Sequence, residues 1–216
     1  MLELARDTAL APRYVHVVDD DRDVRRGLSF MLGAGEFQSR PFASGQDFLD
    51  SLGEIQPGCI LLDIRMPDQD GFQVMEALTA RGVEWPVVVM TGHGEVSVAV
   101  RAMKMGAVDF LEKPFDESLL LASLDRAFVL LKDRHEKAGR RRLAESRIEQ
   151  LSSREREVLR GLMGGLPNKV LARRLDISLR TVEMHRANMM ERLRVGSLAE
   201  ALTLAVQAGV EPLDPE

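Results

Sequence analysis

The chain has 216 residues, of which 45% are hydrophobic and 29% are charged, a composition typical of globular proteins and not of disordered ones. Its single cysteine excludes an intramolecular disulfide framework, and no apolar stretch approaches the roughly 18 residues of a membrane span. Because the N-terminal segment also lacks the apolar core of a secretory signal, we expect a soluble, cytoplasmic protein without a membrane partner.

The net charge of −5 is unevenly distributed along the chain. Residues 1–131 carry 12 Lys and Arg against 21 Asp and Glu, whereas residues 151–216 carry 10 against 9. Residues 132–150, between them, are basic, with 7 against 4. This asymmetry predicts two units with different partners: cations suit the first unit, and the second is compatible with a polyanion.

In chain order, residues 1–12 are predicted to be a loose tail, after which five β-rich runs alternate with helical patterns. The predicted strands are residues 14–18, 37–42, 59–63, 86–90 and 107–111. The helical patterns cover residues 24–32, 44–52, 70–80 and 95–105, and a further helix begins near residue 116. This alternation predicts a doubly wound α/β domain over residues 13–131, with a five-stranded parallel sheet of the flavodoxin-like type.

The third of these runs, CILLD, is apolar up to its terminal acid, Asp63, and prolines lie before and after it. Such a run is typical of a strand buried on both faces of a parallel sheet. Ligands bind beyond the carboxyl ends of such strands, so Asp63 lies where a functional residue is expected. Taken alone, an acid at this position is equally well explained as a cap of the following loop.

Polar side chains also follow three of the other strands. Asp19 and Asp20 follow the first strand, Thr91 follows the fourth, and Lys113 follows the fifth. With Asp63 they are expected at one edge of the sheet, where neighbouring carboxylates need a cation such as Mg²⁺ or Mn²⁺. A lysine and a hydroxyl can bind a phosphoryl group there, and a carboxylate can act as nucleophile toward phosphorus. Each residue alone has an ordinary explanation, but the combination predicts a phosphoryl-transfer site.

A resemblance to the response-regulator receiver domain rests on four motifs within residues 13–131: VVDDD, LLDIRMPDQDG, VMTGHG and DFLEKPF. The resemblance implies that Asp63 is the phospho-acceptor. It also implies that Asp20 and Asp63 bind Mg²⁺ directly and that Asp19 acts through a water molecule. The backbone carbonyl of Arg65 would be a further ligand of the metal.

The same resemblance assigns Thr91 and Lys113 to the phosphoryl oxygens and makes Phe110 an aromatic switch that turns inward as Thr91 moves. The cis peptide usual in this family would be Lys113-Pro114. A receiver of this kind catalyses its own phosphotransfer and dephosphorylation without being a turnover enzyme. Its dimer surface would comprise the helix 95–105, the strand of Phe110 and the helix that follows.

Residues 132–148 are predicted to be a helical linker that continues the preceding helix to about residue 150. Its weak point is Gly139, which costs about 1 kcal/mol relative to alanine. At most two heptads can pair between chains, because only four residues approach a heptad seam: Leu124, Ala127, Leu131 and Ala138. Three consecutive arginines, residues 140–142, either contact the DNA backbone or form a solvated linker face, and the second interpretation is favoured.

Residues 149–210 read as a unit of four short helices, with a C-terminal tail at residues 211–216. Ser152 with Glu155, and Ser197 with Glu200, have the spacing of a capping box, and Ser178 is a predicted N-cap. The helical patterns begin near Leu151 and cover residues 169–175, 179–193 and 198–207.

The two central helices are joined by a three-residue turn, residues 176–178, as in helix-turn-helix proteins. In such proteins the start of the second helix enters the major groove of DNA. The residues presented there are Arg180, Thr181, Glu183, Met184, His185, Arg186 and Ala187. From periodicity alone, a protein-interaction module explains the four helices equally well.

A resemblance to the LuxR-type helix-turn-helix over residues 149–208 favours DNA, and the motifs GLPNK and RTVEMHRAN are similar to those of FixJ-type response regulators. The DNA-backbone contacts that it implies are Lys169, Thr181 and His185. The base-facing positions that it implies are Glu183, Met184 and Ala187, with Arg186 able to serve either role.

Together these patterns predict a two-component response regulator. A sensor histidine kinase would phosphorylate Asp63, and phosphorylation would promote homodimerisation, binding to double-stranded promoter DNA and a change in transcription, with RNA polymerase as a further partner. One alternative is a phosphorylation-dependent adaptor whose helical unit binds protein and not DNA. Another is a receiver that works without phosphate, against which the complete set of acids, threonine and lysine argues.

Overall fold

The computed structural model of the chain describes residues 12–34, 36–92 and 96–214. These residues divide after Arg134 into two compact units. Within these ranges no helix combines the length and the apolar character needed to cross a bilayer.

The first unit alternates strands and helices, as predicted. Its elements are β1 (Arg13–Val18), α1 (Arg22–Gly33), β2 (Phe37–Phe42), α2 (Gly45–Ser51), β3 (Cys59–Asp63), α3 (Gly71–Ala80), β4 (Val87–Thr91), α4 (Val96–Lys104) and β5 (Asp109–Glu112). The helix α5 (Glu117–Glu149) then begins in the first unit and runs into the second. The second unit continues with α6 (Ser153–Met163), α7 (Asn168–Arg174), α8 (Leu179–Leu193) and α9 (Leu198–Gln207).

The five strands form one sheet in the order β2-β1-β3-β4-β5, and all neighbouring pairs are parallel. This order confirms the flavodoxin-like prediction. The register pairs Val18 with Leu62, Asp63 with Met90 and Thr91 with Glu112. The carboxyl ends of the central strands therefore lie at one edge of the sheet.

The strand β3 is buried along its whole length because both faces of the sheet are covered. Ile60 and Leu62 belong to one apolar core, together with residues of α2 and α3 such as Phe48 and Leu78. Cys59 and Leu61 belong to the other, together with residues of α1 and α5 such as Leu28 and Leu124. Burial raises the pKa of the Cys59 thiol, which is therefore kept protonated.

The N-caps predicted at Ser44, Ser152 and Ser178 are confirmed, and Ser152 forms a complete capping box with Glu155. The spacing at Ser197 produces a different arrangement. There Glu200 donates its N–H to the Ser197 hydroxyl, but its carboxylate accepts from the N–H of Gly196 at 3.0 Å. The other carboxylate oxygen is occupied by the Ser197 hydroxyl, at 3.1 Å.

The helix α5 is continuous through the predicted linker. Leu124 and Ala127, two of the four residues of the predicted heptad seam, are fully buried in the core of the first unit and are not available to pair between chains. The side chains of residues 132–143 are exposed, and Arg141 pairs with Glu145 at 2.8 Å along the helix. This arrangement agrees with a solvated linker face.

In the second unit, α7 and α8 are joined through Asp176, whose φ of 52° lies in the left-handed region. Glycine often occupies such a position because it has no Cβ, and aspartate tolerates it better than most residues. Residues 211–214, predicted as a tail, contact the helices: the N–H of Leu213 donates to the carbonyl of Arg160 at 2.9 Å, and Arg174 donates to the carbonyl of Asp214 at 2.6 Å.

Candidate functional site

Three carboxylates lie at the carboxyl edge of the sheet. Asp19 follows β1 and is fully buried, Asp63 ends β3 and is 6% exposed, and Asp20 is exposed. One oxygen from each lies within 4.8 Å of the others. A set of charged oxygen donors with one side open to water suits Mg²⁺, which keeps several of its waters when it binds protein. The three acids therefore fit the predicted metal. Carboxylate oxygens suit Mg²⁺ or Mn²⁺, whereas zinc is more often bound by imidazole or thiolate groups.

Lys113 reaches into this cluster from the end of β5. Its Nζ lies 2.5 Å from Oδ2 of Asp19 and 3.1 Å from Oδ2 of Asp63. Burial would lower the pKa of Lys113, but the hydrogen bond to Asp19 and the negative charge of Asp63 outweigh it and raise this pKa. For Asp19, which has no exposed surface, burial raises the pKa more strongly than Lys113 lowers it. Lys113 thus stays a cation beside Asp63.

The backbone around Lys113 and Asp63 is held by the neighbouring strands. The N–H of Lys113 donates to the carbonyl of Thr91 at 2.7 Å, and the N–H of Ile64 donates to the carbonyl of Met90 at 3.1 Å. The expected cis peptide between Lys113 and Pro114 is present. These bonds extend the sheet pairing by one residue and bring Lys113 beside the end of β3.

Gly71 is a site residue that our sequence reasoning missed. It opens α3 and donates its N–H to the carbonyl of Ile64 at 3.0 Å, and a Cβ at this position would overlap the backbone carbonyl of Asp63. Only glycine therefore allows α3 to begin so close to the acid. A glycine directly after the helix-capping Asp70 was the available signal, since glycine disfavours a helix.

Arg25, on α1, was also missed. Its guanidinium donates to the backbone carbonyls of Asp19 and Asp20, at 2.7 and 2.8 Å. A hydrogen bond to a backbone carbonyl does not depend on the side chain of the residue that accepts it, so the sequence shows no pairing of residue types. The only signal for Arg25 in the sequence was its position a few residues after the acids.

Thr91 and Phe110 lie on the same face of the sheet. Thr91 ends β4 and is buried, and the register pairs Phe110 with Val89, two residues before Thr91. Because side chains alternate between faces, Val89, Thr91 and Phe110 point the same way. Phe110 is half-buried against the core that contains Val89. The predicted helix start at Glu95 lies outside the described residues, and α4 is described from Val96.

The predicted DNA contacts lie on α7 and α8. The helix α8 turns Val182, Met189 and Leu193 into the core of the unit. The exposed members of the predicted set are Lys169, Arg180, Glu183, Met184 and Ala187, and the half-buried members are Thr181, His185 and Arg186. The hydroxyl of Thr181 lies 2.7 Å from the hydroxyl of Ser178, the N-cap of α8. Thr181 therefore forms a hydrogen bond within the first turn of this helix.

Two family models match the chain. "Response regulator receiver domain" matches residues 15–125, and "Bacterial regulatory proteins, luxR family" matches residues 149–205. Together they cover most of the sequence in the order that the two units have in the structure.

Relatives extend the similarity over nearly the whole chain. The transcriptional regulatory protein FixJ of Azorhizobium caulinodans is 44% identical over 200 residues, covering 93% of this chain and 95% of the relative. FixJ of Bradyrhizobium diazoefficiens is 41% identical over 197 residues, covering 91% and 96%. The tetrathionate response regulatory protein TtrR of Salmonella typhimurium is 40% identical over 188 residues, covering 87% and 89%.

Solved structures give the same result. The response regulator StyR matches with a TM-score of 0.77 at 38% identity, covering 91% of this chain and all of that one. Full-length FixJ from B. japonicum matches with a TM-score of 0.57 at 41% identity, covering 91% and 97%. The acidic site lies on a parallel sheet, and a helix-turn-helix follows later in the sequence. The chain belongs to the FixJ-type response regulators, which join a receiver domain to a LuxR-type DNA-binding domain.

Proposed function

We propose that a cognate sensor histidine kinase phosphorylates this regulator on Asp63, and that the phosphoryl group promotes dimerisation and sequence-specific binding to promoter DNA. The observation that carries the proposal is that Asp63 contacts the Lys113 ammonium at 3.1 Å and belongs to one carboxylate cluster with Asp19 and Asp20. We further propose that the protein acts in the cytoplasm and influences transcription through RNA polymerase.

In the proposed transfer, a carboxylate oxygen of Asp63 attacks the phosphorus of a phosphohistidine, and the bond from phosphorus to the imidazole nitrogen breaks. Lys113 and the hydroxyl of Thr91 bind the phosphoryl oxygens and offset their charge. Asp20, Asp63 and the carbonyl of Arg65 would hold Mg²⁺, with Asp19 acting through water. When bound, the metal supplies further positive charge to the transferred group. The receiver itself thus catalyses both the transfer and the later hydrolysis.

A small phosphodonor tests this function. Acetyl phosphate with Mg²⁺ should add one phosphoryl group to the full chain, detected by intact mass, and the Asp63→Asn variant should remain unlabelled. Asp68→Asn is the matched control, because Asp68 is a nearby exposed acid with a φ of 66° that asparagine also tolerates. Labelling that persists in Asp63→Asn would show that another residue accepts the phosphoryl group.

We propose that the switch runs through Thr91 and Phe110, whose side chains share one face of the sheet. The inward movement of Thr91 toward a phosphoryl group would make room for Phe110, which is only half-buried. Burial of the ring would then alter the surface of α4, β5 and α5. The exposed apolar side chains of α4, Val96, Val100 and Met103, have helical spacing and share one face, which suits a dimer contact.

DNA binding is proposed to use Lys169, Thr181 and His185 for the phosphate backbone, with Arg180 and Arg186 as further cationic contacts. Affinity for duplex DNA should therefore fall steeply as salt is added. Replacing Lys169 with alanine should reduce the slope of log affinity against log salt by about one. Arg154→Ala is the control, because Arg154 is paired with Glu157 on α6. A protein-binding adaptor, in contrast, would show no binding to DNA.

A further inference from the structure

Arg25 binds the acidic loop at three successive carbonyls. Its Nη1 donates to the carbonyls of Asp19 and Asp20, at 2.7 and 2.8 Å, and its own N–H donates to the carbonyl of Asp21 at 3.1 Å. The carbonyls of Asp19 and Asp20 belong to the two peptide groups on either side of the Asp20 Cα. One guanidinium therefore fixes the backbone rotation on both sides of Asp20.

Asp20 needs this support more than the other two acids do. The carboxylate of Asp19 is held by Lys113 and by the N–H of Asp21, at 2.5 and 2.9 Å. The carboxylate of Asp63 is held by Lys113 and by the N–H of Arg65, at 3.1 and 3.3 Å. Asp20 is exposed, and among the described residues no hydrogen bond to its carboxylate is found. The backbone therefore fixes the position of its Cβ, and with it the region that the carboxylate can reach.

A cation this close to a metal site has two opposite effects. The positive charge of Arg25 repels a divalent ion and weakens its binding. A guanidinium that holds the loop in the binding conformation removes part of the ordering cost and strengthens binding. The sign of the change after removal of the guanidinium therefore tells which effect dominates.

We propose that Arg25 is a positioning residue for the metal site: by holding the peptide groups around Asp20, it keeps that carboxylate directed toward the ion and raises divalent-cation affinity. This inference rests on the proposed function, which places the ion at Asp20 and Asp63. Residues that orient metal ligands typically change metal affinity by about 10- to 100-fold when they are replaced.

The experiment titrates the 216-residue chain with Mn²⁺ and follows the free ion by electron paramagnetic resonance. The test variant is Arg25→Met, which keeps the aliphatic part of the side chain and removes only the guanidinium. The Mn²⁺ dissociation constant should rise by about tenfold. Arg26→Ala is the matched control, because it removes the same charge from an exposed position on the same helix and should leave affinity unchanged or slightly tighter.

A second measurement separates positioning from a general loss of stability. Thermal unfolding in the presence of a chelator should show Arg25→Met folded, with a melting temperature within a few degrees of the parent. Arg25→Ala is a second variant that also lacks the guanidinium but introduces no new long side chain. It should show the same weaker Mn²⁺ binding, which would exclude an effect of the methionine itself. Unchanged or tighter Mn²⁺ binding in both variants would overturn the inference. Failure of the parent protein to bind Mn²⁺ would overturn the proposed metal site, and the inference with it.

Discussion

Asp19, Asp20 and Asp63 share one cluster, but their surroundings assign them different tasks. Both oxygens of Asp19 already accept hydrogen bonds, from Lys113 and from the N–H of Asp21. Both oxygens of Asp63 also accept, from Lys113 and from the N–H of Arg65, but at 3.1 and 3.3 Å, longer than the 2.5 and 2.9 Å at Asp19. Asp20 is exposed and, within the described part of the chain, has no such competition. The tighter contacts of Asp19 support the proposal that it acts through water, and the exposure of Asp20 supports direct binding of the ion there.

His16 gives a prediction about acid stability. It is buried on β1, where its ring stacks on Trp85 at 5.3 Å and one ring nitrogen contacts the carbonyl of Gln56 at 3.0 Å. Burial lowers the pKa of His16 below 6.5. As the pH falls below 6.5, the unfolded chain binds a proton that the folded chain does not, so stability falls.

In the variant His16→Leu, this part of the acid sensitivity should disappear. The decrease in melting temperature between about pH 7.5 and pH 5.5 should be smaller than in the parent, whatever the absolute stability at pH 7.5. Trp85 is the only tryptophan and lies in the first unit, so its fluorescence reports unfolding of that unit. His135→Gln, at an exposed position, should keep the parent's pH dependence.

Glu183 gives a prediction about DNA specificity. It is an exposed acid at a proposed base-facing position, where its charge repels phosphates. A carboxylate there can accept a hydrogen bond from the amino group of cytosine, a contact worth about 1–3 kcal/mol of discrimination. In Glu183→Gln, selection from random duplexes should show a weaker preference for cytosine at one position of each half-site, and non-specific affinity should rise.

The control for this prediction is Glu191→Gln, an exposed acid two turns further along α8. It should raise non-specific affinity without changing the preferred sequence. An unchanged cytosine preference in Glu183→Gln would show that Glu183 does not read a base.

At the scale of the element, two helical glycines have opposite surroundings. A Cβ at Gly139 in α5 would have no neighbouring atom within 4 Å, whereas a Cβ at Gly161 in α6 would overlap the Cδ2 atom of the fully buried Leu171. Gly139→Ala should therefore stabilise the helix by about 1 kcal/mol. Gly161→Ala should destabilise the second unit by about 1–3 kcal/mol through overpacking.

Urea unfolding followed by circular dichroism at the helix band measures both changes. Each variant is the control for the other, because both substitutions add the same methyl group to a helix and differ only in the surroundings of that group. Equal effects of the two variants would show that neighbouring side chains do not decide the outcome.

The elements themselves were largely predictable. Strand β3 was identified because a parallel strand covered on both faces needs apolar residues at every position. The starts of α2, α6, α8 and α9 were identified because capping needs a short polar side chain at one position. The hydrogen bond from Gly196 to Glu200 was not, because the capping-box spacing does not determine which N–H the carboxylate reaches.

At the scale of the whole molecule, the proposed function requires that a change at Asp63 alters DNA binding through dimerisation. A phosphodonor should convert the parent protein to a dimer, measured by light scattering, and should tighten binding to a palindromic duplex more than to a half-site duplex. Asp63→Asn should keep its basal DNA affinity and lose this response.

Val100→Glu should abolish the phosphodonor-dependent dimer, because it places a charge on the apolar face of α4. Phe30→Glu is the matched control: Phe30 is an exposed apolar residue on α1, and its replacement should leave the dimer intact. A dimer that forms equally in both variants would place the contact on another surface.

Periodicity was sufficient to predict the five strands. Because the carboxyl ends of parallel strands meet, it also predicted that the acids, the threonine and the lysine at those ends share one edge of the sheet. The two domain types, in contrast, were implied by the resemblance of the motifs. How the acids are held is seen only in the tertiary structure. Arg25 acts on backbone carbonyls, and Gly71 is required by the close approach of Asp63. Nearly every residue has the same backbone atoms, so contacts made to the backbone are hard to predict from the amino-acid sequence.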